Sequence, residues 1–170
     1  MYNLNLRGGG STFCVLTYKP SWDEWRLNGE QTKLNPHIIH PHTLKTGWVL
    51  FAPGMAPDWH WDEALGKPGK APSSDHKRCF SIDVETEANG RMTWSGAGYG
   101  QCVALEELME AISASESDYP GKVPLAEYVG SESRKIGKGS TRIPRFSIID
   151  WVDPAFPPWA AQEESIDAPF

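Results

Sequence analysis

A mostly β fold with one inserted helix is what this sequence predicts, and three observations predict it. Short β-branched and aromatic runs recur along the chain, bounded by Gly, Pro and Asn. Gly (16) and Pro (14) are abundant, and 8 Trp accompany an apolar fraction of 39%. Residues 103–113 alone carry apolar side chains at sustained helical spacing. That mixture describes a turn-rich β domain with long loops, and 170 residues suffice for one domain with appendages.

Taken in order, residues 1–11 end in Gly8, Gly9, Gly10 and Ser11 and are expected to form a flexible arm. Residues 12–19 are β-branched and aromatic between Gly10 and Pro20, which predicts a strand. Residues 20–46 show no sustained period and are expected to be loop with one short element. Residues 47–52 form an apolar run closed by Pro53 and Gly54, a second strand covered on both faces. Residues 53–78 are rich in breakers and read as a long excursion with one helical turn near residues 62–65. Phe80, Ile82 and Val84 alternate with polar residues over 79–86, a half-buried strand; Asn89 and Gly90 turn it into a return strand over 91–95. In the helix, Val103, Leu105, Leu108, Met109 and Ile112 face inward and Glu106, Glu107 and Glu110 outward. Strands at 123–129, which Pro124 confines to an edge or a strand start, and at 143–152 flank a basic loop over 130–140. Trp48 and Trp151 lie in apolar strands and are expected in the core.

About six strands with one helix after the fourth suit an OB-like Greek-key barrel over residues 12–152. Sequence does not fix the closure, and a β-sandwich capped by a helix fits nearly as well. Residues 153–170 are expected to be a disordered acidic tail. No apolar run reaches membrane-spanning length, and Met1 leads into polar residues without a signal-peptide pattern. Three cysteines without CxxC spacing suit a reduced intracellular protein.

The net charge of −6 is unevenly spread. Arg134, Lys135, Lys138, Arg142 and Arg145 follow one another without an acid, and Lys67, Lys70, Lys77 and Arg78 cluster with Asp75 alone. After Arg145 there is no basic residue. Two basic loops on a near-neutral body with an acidic tail are compatible with a polyanionic partner. In the second loop Gly137 and Gly139 would let backbone approach a phosphate, with Lys135, Lys138, Arg142 and Arg145 on its oxygens. The spacing is not that of a Walker A loop. Trp59 and Trp61, two apart, would share a face if extended and stack unpaired bases; Trp94 and Tyr99 are a second candidate pair.

Other chemistry is less well supported. His37, His40 and His42 lack a matching Cys pair, so no metal site or cofactor is expected, although the sequence alone leaves those three histidines open. Asp58, Asp62, Glu63, Asp75 and His76 are the residues from which a metal-dependent nuclease site would have to be built. No H-E-x-x-H, G-x-S-x-G or comparable catalytic signature is present, so a non-enzyme is expected.

The chain closes on Glu163, Glu164, Ser165, Ile166, Asp167, Ala168, Pro169 and Phe170. This acidic segment ending in Pro-Phe resembles the C-terminal tip of bacterial and phage single-stranded DNA-binding proteins. Residues 47–54, 56–59, 75–78 and 137–141 look like stretches of small phage or prophage open reading frames of alphaproteobacterial type. The resemblance implies a cytoplasmic protein of phage replication or recombination that binds single-stranded DNA. It further implies that Asp167, Pro169 and Phe170 recruit replication or recombination partners. A homo-oligomer is compatible with this. The alternative is a phage protein-interaction module that inhibits or adapts a host protein.

Overall fold

The computed structural model describes residues 14–160. Nine strands and one α-helix follow in order: β1 (Val15–Lys19), β2 (Glu24–Leu27), β3 (Glu30–Thr32), β4 (His37–Leu50), β5 (Asp58–Trp61), β6 (Lys77–Thr86), β7 (Gly90–Ala97), α1 (Tyr99–Ser115), β8 (Val123–Ile136) and β9 (Gly139–Val152). The strands form one sheet in the order β3-β2-β1-β7-β6-β4-β8-β9, with β5 added beside the C-terminal half of β4. The β1–β7 pair is parallel and the other pairs are antiparallel. The sheet curls into a half-barrel. Mostly β with one helix is therefore the architecture, as the composition predicts.

The curl is closed by side chains. Trp25 of β2 meets Tyr128 of β8 at 5.5 Å and Phe146 of β9 at 5.9 Å between ring centroids, although β2 and β9 lie toward opposite ends of the sheet. Trp94 packs against Trp25 and Phe146 and edge-on against Phe80, filling the centre. Asp23 fixes the seam: its carboxylate accepts from the hydroxyls of Tyr18 and Tyr128. Burial raises the Asp23 carboxyl, but the hydrogen bonds from Tyr128 and Tyr18 outweigh it and leave the group more acidic than usual.

Helix α1 covers the concave side with Ala104, Leu105, Leu108 and Ile112. These recur at one-, three- and four-residue steps, which puts them on one stripe. Its first turn lies unusually near β9. A Cβ on Gly100 would stand 2.7 Å from the Arg142 carbonyl oxygen and 2.9 Å from Thr141 Oγ1, so only glycine permits that approach.

Several expectations are corrected. Residues 20–46 are mostly strand: β2 and β3 join through Asn28-Gly29, both at positive φ, the geometry of a two-residue hairpin turn. β4 then begins at His37 and continues past Pro41 through a register shift between His40 and Lys45. Residues 130–140 are not a loop but the paired ends of β8 and β9, turning at Gly137-Lys138. Near residues 62–65 there is a turn with an Ala64–Lys67 bridge in place of a helical turn. Residues 153–160, assigned to the tail, fold back, and Trp159 packs on Ile38, Val123, Leu125 and Val152. Trp151 is buried as expected, stacked on Tyr119. Residues 1–11 and 161–170, the remainder of the predicted arm and tail, lie outside the described residues.

His37 is fully buried, donating from Nδ1 to the Leu34 carbonyl oxygen at 2.6 Å, and burial lowers its pKa to about 4. His40 is buried against Glu85. These two and exposed His42 do not converge on a common point.

Two stability predictions follow from this packing. Tyr128→Phe deletes a hydroxyl from the Asp23 seam and is expected to cost about 1–2 kcal/mol in urea unfolding; an unchanged midpoint would place closure in the aromatic rings alone. For His37, the unfolded chain takes up a proton near pH 6.5, whereas the folded chain does so only near 4. Its contribution is therefore complete above pH 6.5 and lost as pH falls toward 4, by on the order of 3 kcal/mol. His37→Asn keeps an N–H for Leu34 without titrating, so the pH dependence of its unfolding free energy should be shallower across that window.

Candidate nucleic-acid interface

The C-terminal half of β4 and the short strand β5 build an aromatic surface from cross-strand register. Trp59 sits opposite Val49 and Trp61 opposite Gly47, and both Trp side chains share one face of β5. Their rings are stacked, 5.2 Å apart and 9° from parallel. Phe51 meets Trp59 edge-on at 5.9 Å, and Lys45 Nζ lies 5.9 Å from the Trp61 ring centre. Lys77, exposed at the start of β6, pairs with Val49 and also borders the cleft lined by Trp48 and Arg78. Trp61 remains 42% exposed. The expected pairing of Trp59 with Trp61 is thus present as geometry, while Lys45 and Phe51 were not anticipated. Lys45 was hidden by reading 20–46 as loop, and Phe51 by reading the strand at 47–52 as covered on both faces, whereas Phe51 is exposed.

The alternate positions face the other way, into a cleft of about 550 Å³ between β4, β6 and the start of α1. Trp48, Arg78, Tyr99 and Val103 line it. Trp48 is therefore half-buried at a cleft wall rather than in the core. The Arg78 guanidinium lies over Trp48, 5.1 Å from the ring centre, and donates to both carboxylate oxygens of Asp62 at 3.1 and 2.8 Å. Asp62 also accepts from Thr46 Oγ1 and the Gly69 backbone N–H. Its side chain is 2% exposed, and Arg78 holds its carboxyl well below the usual carboxylate range. Trp48 Nε1 donates to the Gly69 carbonyl oxygen. Asp62 is the knot that holds the 62–76 excursion to the sheet. Arg78, predicted to contact nucleic acid, is consequently committed to Asp62.

Tyr99 stands at the mouth of the cleft, 55% exposed. Trp94 does not: at 1% exposure it is a core residue, because its inward register on β7 places it under Trp25 and Phe80. Burial pushes the Cys79 and Cys102 thiols up to about 11, so both are protonated at neutral pH.

Lys135, Lys138 and Arg142 are exposed around the turn of the β8–β9 hairpin, as are Lys67, Lys70 and Lys77 on and after the excursion. Arg142 donates to Ser131. Arg145 is paired with Glu107 at 2.7 Å and Glu132 at 3.2 Å, and Arg134 with the same two acids. The run without an acid in sequence therefore acquires two in space, and Arg145 is not a free cation. The close approach at Gly100 ties the hairpin to the N-terminal end of α1, bringing the basic turn and Tyr99 to the same end of the molecule.

Of the acids and histidine considered for a nuclease site, Asp58 and His76 come together while Asp62 is engaged by Arg78. Asp167, Pro169 and Phe170 lie outside the described residues. Comparison with family models, curated proteins and solved structures finds no match to this chain.

Removing the knot tests its role. Asp62→Ala is expected to destabilise the protein by about 2–3 kcal/mol, because several charge-assisted hydrogen bonds end on it. Limited proteolysis should then cut first within residues 63–76; cleavage elsewhere at the same rate as in the parent would contradict the assignment.

Proposed function

We propose that this chain binds single-stranded DNA through the Trp59–Trp61 surface and the β8–β9 hairpin, in the setting of phage replication or recombination. One observation carries the reading: two tryptophans stacked on a strand, Trp59 half-buried and Trp61 exposed, with Lys45 at the Trp61 ring and Lys77 on the neighbouring β6. Unpaired bases offer flat apolar faces to such rings, each stack contributing about 1–3 kcal/mol, while lysines track the phosphates without reading sequence. Duplex DNA hides those faces. Lys135, Lys138 and Arg142 would extend the phosphate track, and Tyr99 would offer a further ring beside it.

The curled sheet around one helix supports an OB-like reading of the barrel, closed here by aromatic side chains. The cytoplasmic, phage-related setting and the partner-recruiting role of Asp167, Pro169 and Phe170 come from the resemblance of the acidic segment. Binding without turnover is what is proposed.

A second reading has its own support. Phe51, Met55 and Trp61 are all exposed along β4, β5 and their connection, and large apolar side chains grouped on a surface also serve as protein-interface anchors. A host-protein adaptor or inhibitor would use the same residues.

Fluorescence anisotropy with a labelled single-stranded oligonucleotide separates the two. Trp61→Ala should weaken binding at least about fivefold. Reversing Lys135 and Lys138 to Glu should weaken it at low salt and flatten its salt dependence. An unmodified protein that binds no oligonucleotide even at low salt would remove the DNA reading and leave the protein-interface one.

A further inference from the structure

Asp58, His60 and His76 form a cluster on the side of β5 away from the stacked tryptophans, at the edge of the cleft, whose lining His76 joins. Asp58 and His60 are two apart on β5 and share a side of the strand, the one opposite Trp59 and Trp61. His76, the residue before β6, arrives from the far end of the excursion. The Nε2 atoms of both histidines lie 2.9 Å from one oxygen, Asp58 Oδ2. The three donor atoms fall within 4.8 Å of one another, the one such group among the described residues. His76 is buried while Asp58 and His60 are about half exposed, so the cluster has a fixed floor and an open side.

The orientation of His76 is set from behind. Its Nδ1 is 2.7 Å from Ser73 Oγ, and that oxygen also accepts the Asp75 backbone N–H at 3.2 Å. The ring is thereby held with Nε2 toward the carboxylate.

We propose that Asp58, His60 and His76 bind a divalent transition-metal ion of the zinc class. Two imidazoles and one carboxylate suit zinc, whereas Ca²⁺ and Mg²⁺ favour all-oxygen surroundings. Around a tetrahedral ion with bonds of about 2.0–2.1 Å, neighbouring donors stand about 3.3 Å apart. Each Nε2 therefore needs to move about 0.4 Å from the carboxylate oxygen, and the two Nε2 atoms, within 4.8 Å of each other, settle to a similar spacing around the ion. The open side leaves the fourth position to water. Ser73 provides the outer hydrogen bond that ligating histidines commonly make through their second nitrogen. In the metal-free arrangement both imidazoles donate N–H to Asp58; on binding, each would take the Nδ1–H tautomer, freeing the Nε2 lone pair for the ion and letting His76 Nδ1–H donate to Ser73 Oγ.

Binding would join β5 directly to the start of β6 and shut the base of the excursion. His60 lies between Trp59 and Trp61, so the ion would also fix the strand that carries the stacked pair. The site does not depend on nucleic-acid binding, and its test uses no oligonucleotide.

The full-length chain, stripped by chelator and exchanged into metal-free buffer, is titrated with Zn²⁺ by calorimetry and with Co²⁺ by visible absorption. One ion per chain is expected, with a Kd of about 10 µM or tighter, a Co²⁺ ligand-field band and a raised Tm. His60→Ala and Asp58→Asn change exposed residues outside the core; each should weaken binding at least about tenfold with the far-UV circular dichroism unchanged. Two results overturn the proposal: no heat and no Co²⁺ band at about 1 mM metal with folded protein, or an affinity that neither variant alters. Either would show that the three residues are joined by hydrogen bonds alone.

Discussion

The architecture depends on a seam made of side chains. Strands at the two ends of the sheet share no backbone ladder, yet Trp25 reaches Tyr128 and Phe146 across the gap. Asp23 accepts from tyrosines on both sides of that gap, Tyr18 from β1 and Tyr128 from β8. Aromatic rings fit this task because they bury large areas and tolerate tilted and edge-on meetings. The polar knot at their margin gives the closure a register that apolar packing alone would not. Once closed, the sheet encloses the inner stripe of α1 and leaves the N-terminal end of that helix at the mouth.

Strand β4 links this frame to the surface. Its first residues, His37 to His40, are wholly buried; Ile38 to His40 pair with β6, and His37 and Ile38 with β8. Beyond the register shift its other half lies between β6 and β5 and presents alternating faces. One face carries the stacked tryptophans with Lys45, the other the Trp48 and Arg78 wall of the cleft. Asp62 keeps both in place by binding Arg78, Thr46 and Gly69 together. Arg78 is thereby structural, and among the described residues the cations without an acidic partner are lysines and Arg142.

The sequence carried the strand and helix content because alternation and helical spacing are local properties. Phe80, Ile82 and Val84 announced β6, and Leu105, Leu108 and Ile112 announced α1. The Asn28-Gly29 turn was equally legible, with Trp25 and Leu27 alternating before it in β2, yet the three polar residues of β3 gave it no alternation on the far side. The β8–β9 hairpin was hidden for a related reason: its outer half is exposed on both faces, so no hydrophobic pattern marks residues 130–140. Partners distant in sequence were the least legible. Glu107 and Glu132 neutralise Arg145, and Asp62 holds Arg78; linear charge counting shows neither. Trp94 was misplaced because a Gly-rich neighbourhood suggested a surface, whereas small residues there admit Phe80 and α1 at close range.

Hydrogen–deuterium exchange with and without a single-stranded oligonucleotide tests the central claim most directly. The account predicts slowed exchange confined to the C-terminal half of β4, to β5 and to the turn of the β8–β9 hairpin, with the Asp23 seam unchanged. Protection located elsewhere, or absent at saturating oligonucleotide, would contradict it.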